Sequence, residues 1–120
     1  MTTPEPWPVE LRVNKDKDSL TVKFDNGESY ELAAEFLRVE SPSAEVQGHT
    51  PQQRQFVGGK RKVKIASMEP VGHYAVRIIF GDGHDSGLFT WSYLRELGRE
   101  RERKWDAYLQ GLAAQGLSRE

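Results

Sequence analysis

The residues best suited to chemistry lie in one glycine-rich stretch, FGDGHDSGLF, at residues 80–89. There His84 lies between Asp82 and Asp85, and Ser86 follows. An imidazole beside carboxylates can bind a metal ion or act as a general base toward a hydroxyl, whereas glycines permit the positive φ of tight turns. Proximity along a turn does not make a catalytic triad. The favoured interpretation of His84 is therefore a hydrogen-bonded turn residue, and catalysis is the less favoured one.

Metal binding is the second chemistry that these residues allow. The chain has three histidines, His49, His73 and His84, and no cysteine. The histidines are too far apart in sequence to match a clustered ligand motif, and no thiolate is available. The alternative hypothesis is therefore a weak iron site, in which His84 acts with Asp82, Asp85 or another histidine.

Composition argues against several partner classes. The 17 basic and 18 acidic residues give a formal charge of −1, so no overall field attracts nucleic acid or a membrane surface. The segment FVGGKRKVKI does not match a phosphate-binding loop, because Arg54 and Arg61 stand where the motif requires glycine and a hydroxyl side chain. We expect neither a nucleic-acid nor a membrane partner. A cytoplasmic location is expected, since the first residues lack the pattern of a signal peptide.

The elements that position these residues follow from hydrophobic periodicity. Apolar residues alternate with polar ones over 9–13 and 20–24, which predicts two strands, and DNG predicts the turn into a third. A three-residue loop or bulge would keep the apolar faces together, with Val22 opposite Leu32 and Phe24 opposite Tyr30. A short helix over LAAEFLRVES is predicted to end at the following proline, before a long connection.

The second half predicts more strands and then helices. Residues 60–68 and 74–80 alternate as strands, with EPVGH as the turn between them, and Leu88-Phe89 extends the sheet. Thr90 is the predicted N-cap of a helix that stops at Gly98, and a helical repeat continues beyond it. The predicted fold class is α+β: a small, mainly antiparallel β-sheet, with a short helix after the second hairpin and C-terminal helices.

Three segments resemble one known family. LTVKFDNG, FLRVESPSAEVQGH and PVGHYAVRIIFGDGHDSGLFTWSYLREL occur in the order typical of the γ-butyrobetaine hydroxylase-like amino-terminal domain family. The resemblance places the family domain over 9–98. Three prolines predict an extended lead-in over 1–8, and the helical repeat predicts a C-terminal helical extension over 99–120. In this family the domain occurs alone in small bacterial proteins, before 2-oxoglutarate-dependent oxygenase domains, and joined to P-loop carriers of iron–sulfur clusters.

The resemblance also implies what became of a metal site. Oxygenase members bind structural zinc through three cysteines and a later histidine, and these positions correspond here to Ser41, Ser43, Val46 and His84. Because serine is a poor zinc ligand and valine is none, the resemblance implies that the zinc site is not retained and that no cofactor is held. We expect His84 to form a hydrogen bond across to the loop that begins at Ser41.

The functional prediction combines the resemblance with the absence of a catalytic constellation in the sequence. We expect a stand-alone, non-enzymatic accessory or adaptor domain that binds a protein partner, with an iron–sulfur carrier or an oxygenase as the first classes to test. The predicted contact surface is Arg38, Glu45, His84, Asp85 and Trp91, where two of the resembling segments should meet.

Overall fold

The computed structural model describes residues 6–42, 56–85 and 87–120, which form an α+β fold, as predicted. The strands within these residues are β1 (Pro8–Val13), β2 (Ser19–Phe24), β3 (Ser29–Ala33), β4 (Ile65–Val71), β5 (Ala75–Phe80) and β6 (Leu88–Thr90). The helices within them are α1 (Ala34–Val39), α2 (Trp91–Arg99) and α3 (Arg101–Ala114). The strands form two three-stranded antiparallel sheets, in the orders β1-β2-β3 and β4-β5-β6.

The β2–β3 hairpin has the predicted three-residue loop but a different register. Val22 pairs with Tyr30, two residues from the predicted partner Leu32, which pairs with Leu20 instead. The tight loop sets this register: Phe24 N donates to Glu28 O, and Gly27 adopts φ +90°. Because the shift is an even number of residues, the apolar side chains still share one face.

The β4–β5 hairpin corrects a second prediction. Strand β4 includes Glu69, Pro70 and Val71, so the turn is residues 72–74 rather than 69–73. Pro70 is tolerated because β4 lies at the edge of its sheet, where a missing N–H breaks no necessary ladder bond. The strand also begins later than the predicted residue 60.

The main core lies among both sheets, α1 and α2. Leu20, Ile78, Phe89 and Leu94 are fully buried there. Every residue of α1 is buried, including the charged side chains Glu35 and Arg38. A second, smaller cluster consists of Val39, Tyr108 and Leu112, with Phe56 and Trp105 packed against it. The short helix therefore links the two clusters and brings two charges into the interior.

Helix α2 begins as predicted but ends later. Thr90 Oγ1 accepts a hydrogen bond from Tyr93 N at 3.1 Å, which confirms the N-cap. The helix continues through Gly98 and ends before Glu100, so the prediction that it stops at Gly98 is wrong. Instead, the glycine allows close packing, because a Cβ there would lie 2.3 Å from the Tyr30 ring. Among the described residues, no helix is long and apolar enough to cross a membrane.

Candidate functional site

The backbone between β5 and β6 folds into a tight turn that presents His84. Gly83 N donates to Phe80 O and Phe80 N donates to His84 O, each at 3.0 Å. Gly83 adopts φ +91°, a conformation that a side chain would disfavour. Gly83 thus has the turn-forming role that the sequence predicted, whereas Gly81 and Gly87 do not adopt a positive φ.

The His84 side chain is turned inward and is only 7% exposed. Its Nε2 atom lies 2.9 Å from the hydroxyl oxygen of Ser41, which follows Glu40, the C-cap residue of α1. The ring also packs at 6.1 Å from the Phe80 ring, measured between centroids. The predicted hydrogen bond from His84 to the loop beginning at Ser41 is confirmed. Ser43 and Val46 lie outside the described residues.

Asp82 joins three separate segments of the chain through its two carboxylate oxygens. Oδ1 accepts a hydrogen bond from the backbone N–H of His84 at 3.1 Å. Oδ2 accepts hydrogen bonds from Arg38 Nε at 2.9 Å and from Lys60 Nζ at 2.6 Å. We call the set Arg38, Ser41, Lys60, Asp82 and His84 the loop junction, because it ties α1 and the start of the 60–64 segment to the β5–β6 loop.

The electrostatics of Asp82 reflect these contacts. Partial burial of the carboxyl by itself would raise its pKa, but the hydrogen bonds from Lys60, the His84 N–H and Arg38 together lower the pKa from 3.8 to about 2. The carboxyl is therefore ionised at neutral pH and holds two cations in place. No spacing pattern in the sequence predicts these ion pairs, although a charged residue such as Arg38 on a fully buried helix needs a partner.

The loop junction differs from a hydrolytic triad. In such a triad the carboxylate accepts a hydrogen bond from the imidazole Nδ1–H, which orients the ring toward the hydroxyl. Asp82 instead contacts the backbone N–H of His84. Ser86, the other candidate nucleophile, lies outside the described residues. Ser41 and His84 are both buried and lie within hydrogen-bond distance of each other.

The residues present do not fit the zinc site that the resemblance attributes to the oxygenase members. Ser41 Oγ and His84 Nε2 lie 2.9 Å apart, a direct hydrogen-bond distance, whereas two ligands of a tetrahedral zinc ion lie about 3.3 Å apart. A neutral hydroxyl is in addition a poor zinc ligand, and Val46 offers no donor atom. Within residues 6–42, 56–85 and 87–120, no group of three or more histidine, cysteine or acidic residues could hold a metal ion.

The predicted contact residues do not form one exposed surface. Arg38 and His84 are buried in the loop junction, which conflicts with direct contact to a partner. Asp85 is exposed, Trp91 is half-buried, and Glu45 lies outside the described residues. The structure thus leaves Asp85 and Trp91 accessible, and the partner-binding role of the set stays a prediction.

Trp91 belongs to a group of aromatic side chains that the sequence analysis did not bring together. Its indole Nε1 donates to His73 O at 2.8 Å, and its backbone N donates to Tyr74 O at 3.1 Å. The Trp7 ring packs edge-on against it, with 6.3 Å between ring centroids. Trp7 is 51% exposed and Tyr74 is 55% exposed. We call Trp7, Tyr74 and Trp91 the aromatic surface.

Trp7 is held in this position by its backbone. Its N–H donates to Asp25 Oδ1 at 3.1 Å, and its carbonyl accepts from Asp25 N at 2.8 Å. The segment before β1 is therefore attached to the β2–β3 loop at this residue. No local sequence signal reveals such a contact, because the partners are 18 residues apart.

The sequence of this domain matches the model of a known protein family. The model for "Gamma-butyrobetaine hydroxylase-like, N-terminal" matches residues 11–95. The chain belongs to this family. The match includes the β5–β6 loop, β6 and the first half of α2, so His84 and Trp91 lie within the family domain. The division into a lead-in, a family domain and a helical extension stays a prediction.

Solved structures of similar proteins carry the same fold. Two proteins with NMR solution structures are 46% and 41% identical to this family member, with TM-scores of 0.82 and 0.83. The alignments cover 98% and 100% of this chain and 92% of each of those chains. A crystal structure from Acidithiobacillus ferrooxidans, described as a protein with unknown function of the DUF971 family, is 41% identical, with a TM-score of 0.64. That alignment covers 76% of this chain and 91% of the other. No curated protein matched the sequence.

Proposed function

We propose that this protein is a non-catalytic accessory domain that binds another protein through the aromatic surface. The observation that carries the proposal is the exposure of Trp7 and Tyr74 beside Trp91, in a domain whose other large aromatic side chains are mostly packed inside. The loop junction has the complementary role of holding the framework in place.

The physical argument rests on what exposed aromatic residues do at interfaces. Tryptophan and tyrosine are enriched among residues that dominate binding energy, because they bury a large area at a small cost in side-chain entropy. Trp91 is already held by its hydrogen bond to His73 O, and the Trp7 ring packs against it. Little side-chain conformational freedom is therefore lost on binding. The exposed carboxylate of Asp85 and the exposed ring of His73 supply polar groups in the neighbouring loops.

The family suggests which partners to test first. The family is named after the N-terminal part of a γ-butyrobetaine hydroxylase-like protein. A 2-oxoglutarate-dependent oxygenase is therefore the first partner class to test. The second class is an iron–sulfur cluster carrier, since the family resemblance includes domains joined to such proteins. A partner of either class would be bound as a folded protein. In this proposal the domain itself supplies no reactive group.

The test uses the full chain with single substitutions on the aromatic surface. Affinity capture from the native cell identifies a candidate oxygenase or iron–sulfur carrier, and calorimetry with both purified proteins then gives the affinity. Trp7→Ala and Tyr74→Ala are each expected to weaken binding at least tenfold, the loss typical of an interface hot spot. Both side chains are about half exposed, so the fold should be retained.

Leu109→Ala provides the matched control, because Leu109 is an exposed apolar residue of α3 outside the aromatic surface. Its affinity for the partner should equal that of the wild type. The proposal fails if no member of either class binds, or if the aromatic variants bind as tightly as the Leu109 variant.

The iron-binding alternative makes a different prediction for the same protein. Iron would need His84 together with carboxylates such as Asp82 or Asp85, but the ring of His84 faces Ser41 and Asp82 is engaged by Arg38 and Lys60. A calorimetric titration with iron distinguishes iron binding from protein binding. Saturable iron binding that is lost in His84→Ala would favour the alternative.

A further inference from the structure

A second site lies on other residues, where the segment after α3 returns to the body of the protein. Arg119 Nε and Nη2 donate to the two carboxylate oxygens of Glu35 at 2.8 and 2.7 Å. The guanidinium carbon also lies 5.2 Å from the centre of the Trp105 ring. Glu35 is on the buried helix α1 and is only 7% exposed. A fixed carboxylate and an aromatic face thus hold one guanidinium group between them.

This combination is selective for arginine. The planar guanidinium fork matches a carboxylate through two parallel hydrogen bonds, and the same plane can lie against an aromatic ring. A lysine ammonium could make the charge interaction but not the paired bonds. Because Glu35 belongs to a packed helix, its carboxylate is positioned before any guanidinium arrives, which lowers the entropic cost of binding.

The backbone of the segment that follows α3 also contacts the body of the protein. Gly59 N donates to Ser118 O at 2.9 Å, and Arg61 N donates to Arg119 O at 3.0 Å. Gly116, at φ +68°, turns the chain after α3 and starts this segment. The segment is therefore held by its backbone as well as by the Arg119 side chain.

The space beside Arg119 could hold more than this segment. A cavity of about 370 Å³ is lined by residues that include Phe36, Trp105, the acidic residues Glu31, Glu35 and Glu102, and the basic residues Arg101 and Arg119. Three carboxylates against Arg101 and Arg119 leave a negative balance, which becomes larger if Arg119 withdraws. The cavity thus favours a cationic occupant over an anionic one.

We propose that the Glu35–Trp105 site binds an arginine side chain of a partner protein, and that Arg119 occupies the site as an intramolecular competitor. The proposal does not depend on the aromatic surface. A tethered segment has an effective concentration in the millimolar range, so a partner arginine must either bind more tightly or bind when residues 116–120 detach.

The test uses the full-length Arg119→Ala variant and a synthetic peptide with the sequence of residues 115–120, QGLSRE. The probe is the indole N–H signal of Trp105 in nitrogen-15 NMR spectra. The peptide is expected to saturate this variant at concentrations at least tenfold lower than it needs for the wild type, because the competitor has been removed. Arg119→Gln serves as a second vacant-site variant if Arg119→Ala does not fold.

Two matched controls define the chemistry. A peptide with lysine in place of arginine is expected to bind at least tenfold more weakly, and Glu35→Gln in the Arg119→Ala background is expected to lose binding. Absence of saturable binding to both vacant-site variants would overturn the proposal, as would equal binding of the two peptides. Wild-type dimerisation that disappears in Arg119→Ala would also overturn it, because a second copy would then be the occupant.

Discussion

Gly87→Ala is expected to destabilise the protein by about 2 kcal/mol, because the added methyl group has no space in the loop junction. A Cβ at this position would lie 2.2 Å from Ser41 Oγ, the atom bonded to His84, and 3.3 Å from Pro42 Cδ. Either the Ser41–His84 hydrogen bond breaks or the β5–β6 loop moves away from α1. The measurement is the free energy of unfolding from urea denaturation.

A double-mutant cycle identifies the cause of that loss. Ser41→Ala alone should cost about 1–2 kcal/mol, since it removes a hydrogen bond to a buried histidine. Gly87→Ala should cost at least about 1 kcal/mol less in the Ser41→Ala background, because the clashing oxygen is then absent. Gly81→Ala is the matched control: its Cβ would lie 3.7 Å from Lys64 O, an ordinary contact. Additive losses from Gly87→Ala and Ser41→Ala would contradict the described packing.

Asp82→Ala is expected to have the largest effect among single substitutions in the loop junction, a loss of about 2–3 kcal/mol. The carboxylate accepts a charge-assisted hydrogen bond from Arg38, whose side chain is only 4% exposed, so its removal takes that contact from a buried positive charge. Lys60→Ala should cost only about 1 kcal/mol, because the lysine is nearer to the solvent and Arg38 keeps its carboxylate. Equal losses for the two variants would show that the Arg38–Asp82 pair is not the important contact.

The same carboxylate predicts how stability depends on pH. Asp82 has a pKa of about 2 in the folded protein, below its usual 3.8, so its contribution is complete above the usual value. That contribution disappears as the pH falls from 3.8 to about 2, where the unfolded chain binds a proton and the folded chain does not. The difference in free energy of unfolding between the wild type and Asp82→Asn should therefore shrink over this range.

The local patterns of the sequence predicted the elements of the fold more reliably than their ends. Alternation of apolar residues is a direct consequence of strand geometry, so β1, β2, β5 and β6 could be located. The sequence predicts a turn at Pro70 and a helix end at Gly98. In the structure Pro70 lies within an edge strand, and Gly98 packs against Tyr30 inside a helix. Whether a proline or glycine ends an element depends on tertiary surroundings that periodicity does not contain.

The candidate sites could be predicted only in part, for a similar reason. The family resemblance assigned Ser41 and His84 to positions of the same metal site, although they are 43 positions apart in sequence. The structure places them in contact. The ion pair of Arg38 with Asp82 and that of Glu35 with Arg119 join residues 44 and 84 positions apart. Such pairs have no spacing rule in the sequence, and charged residues usually lie in solvent.

The central claim is that protein groups alone, chiefly the Ser41–His84 and Asp82 contacts, hold the loop junction together. It is tested most directly by nitrogen-15 NMR of the His84 imidazole in the full chain, before and after addition of zinc or iron, with elemental analysis of the dialysed protein. We predict an Nε2 signal that changes on Ser41→Ala and not on addition of either metal, and a dialysed protein without stoichiometric metal. A metal that remains at one ion per chain after dialysis and shifts the His84 signal would contradict the account.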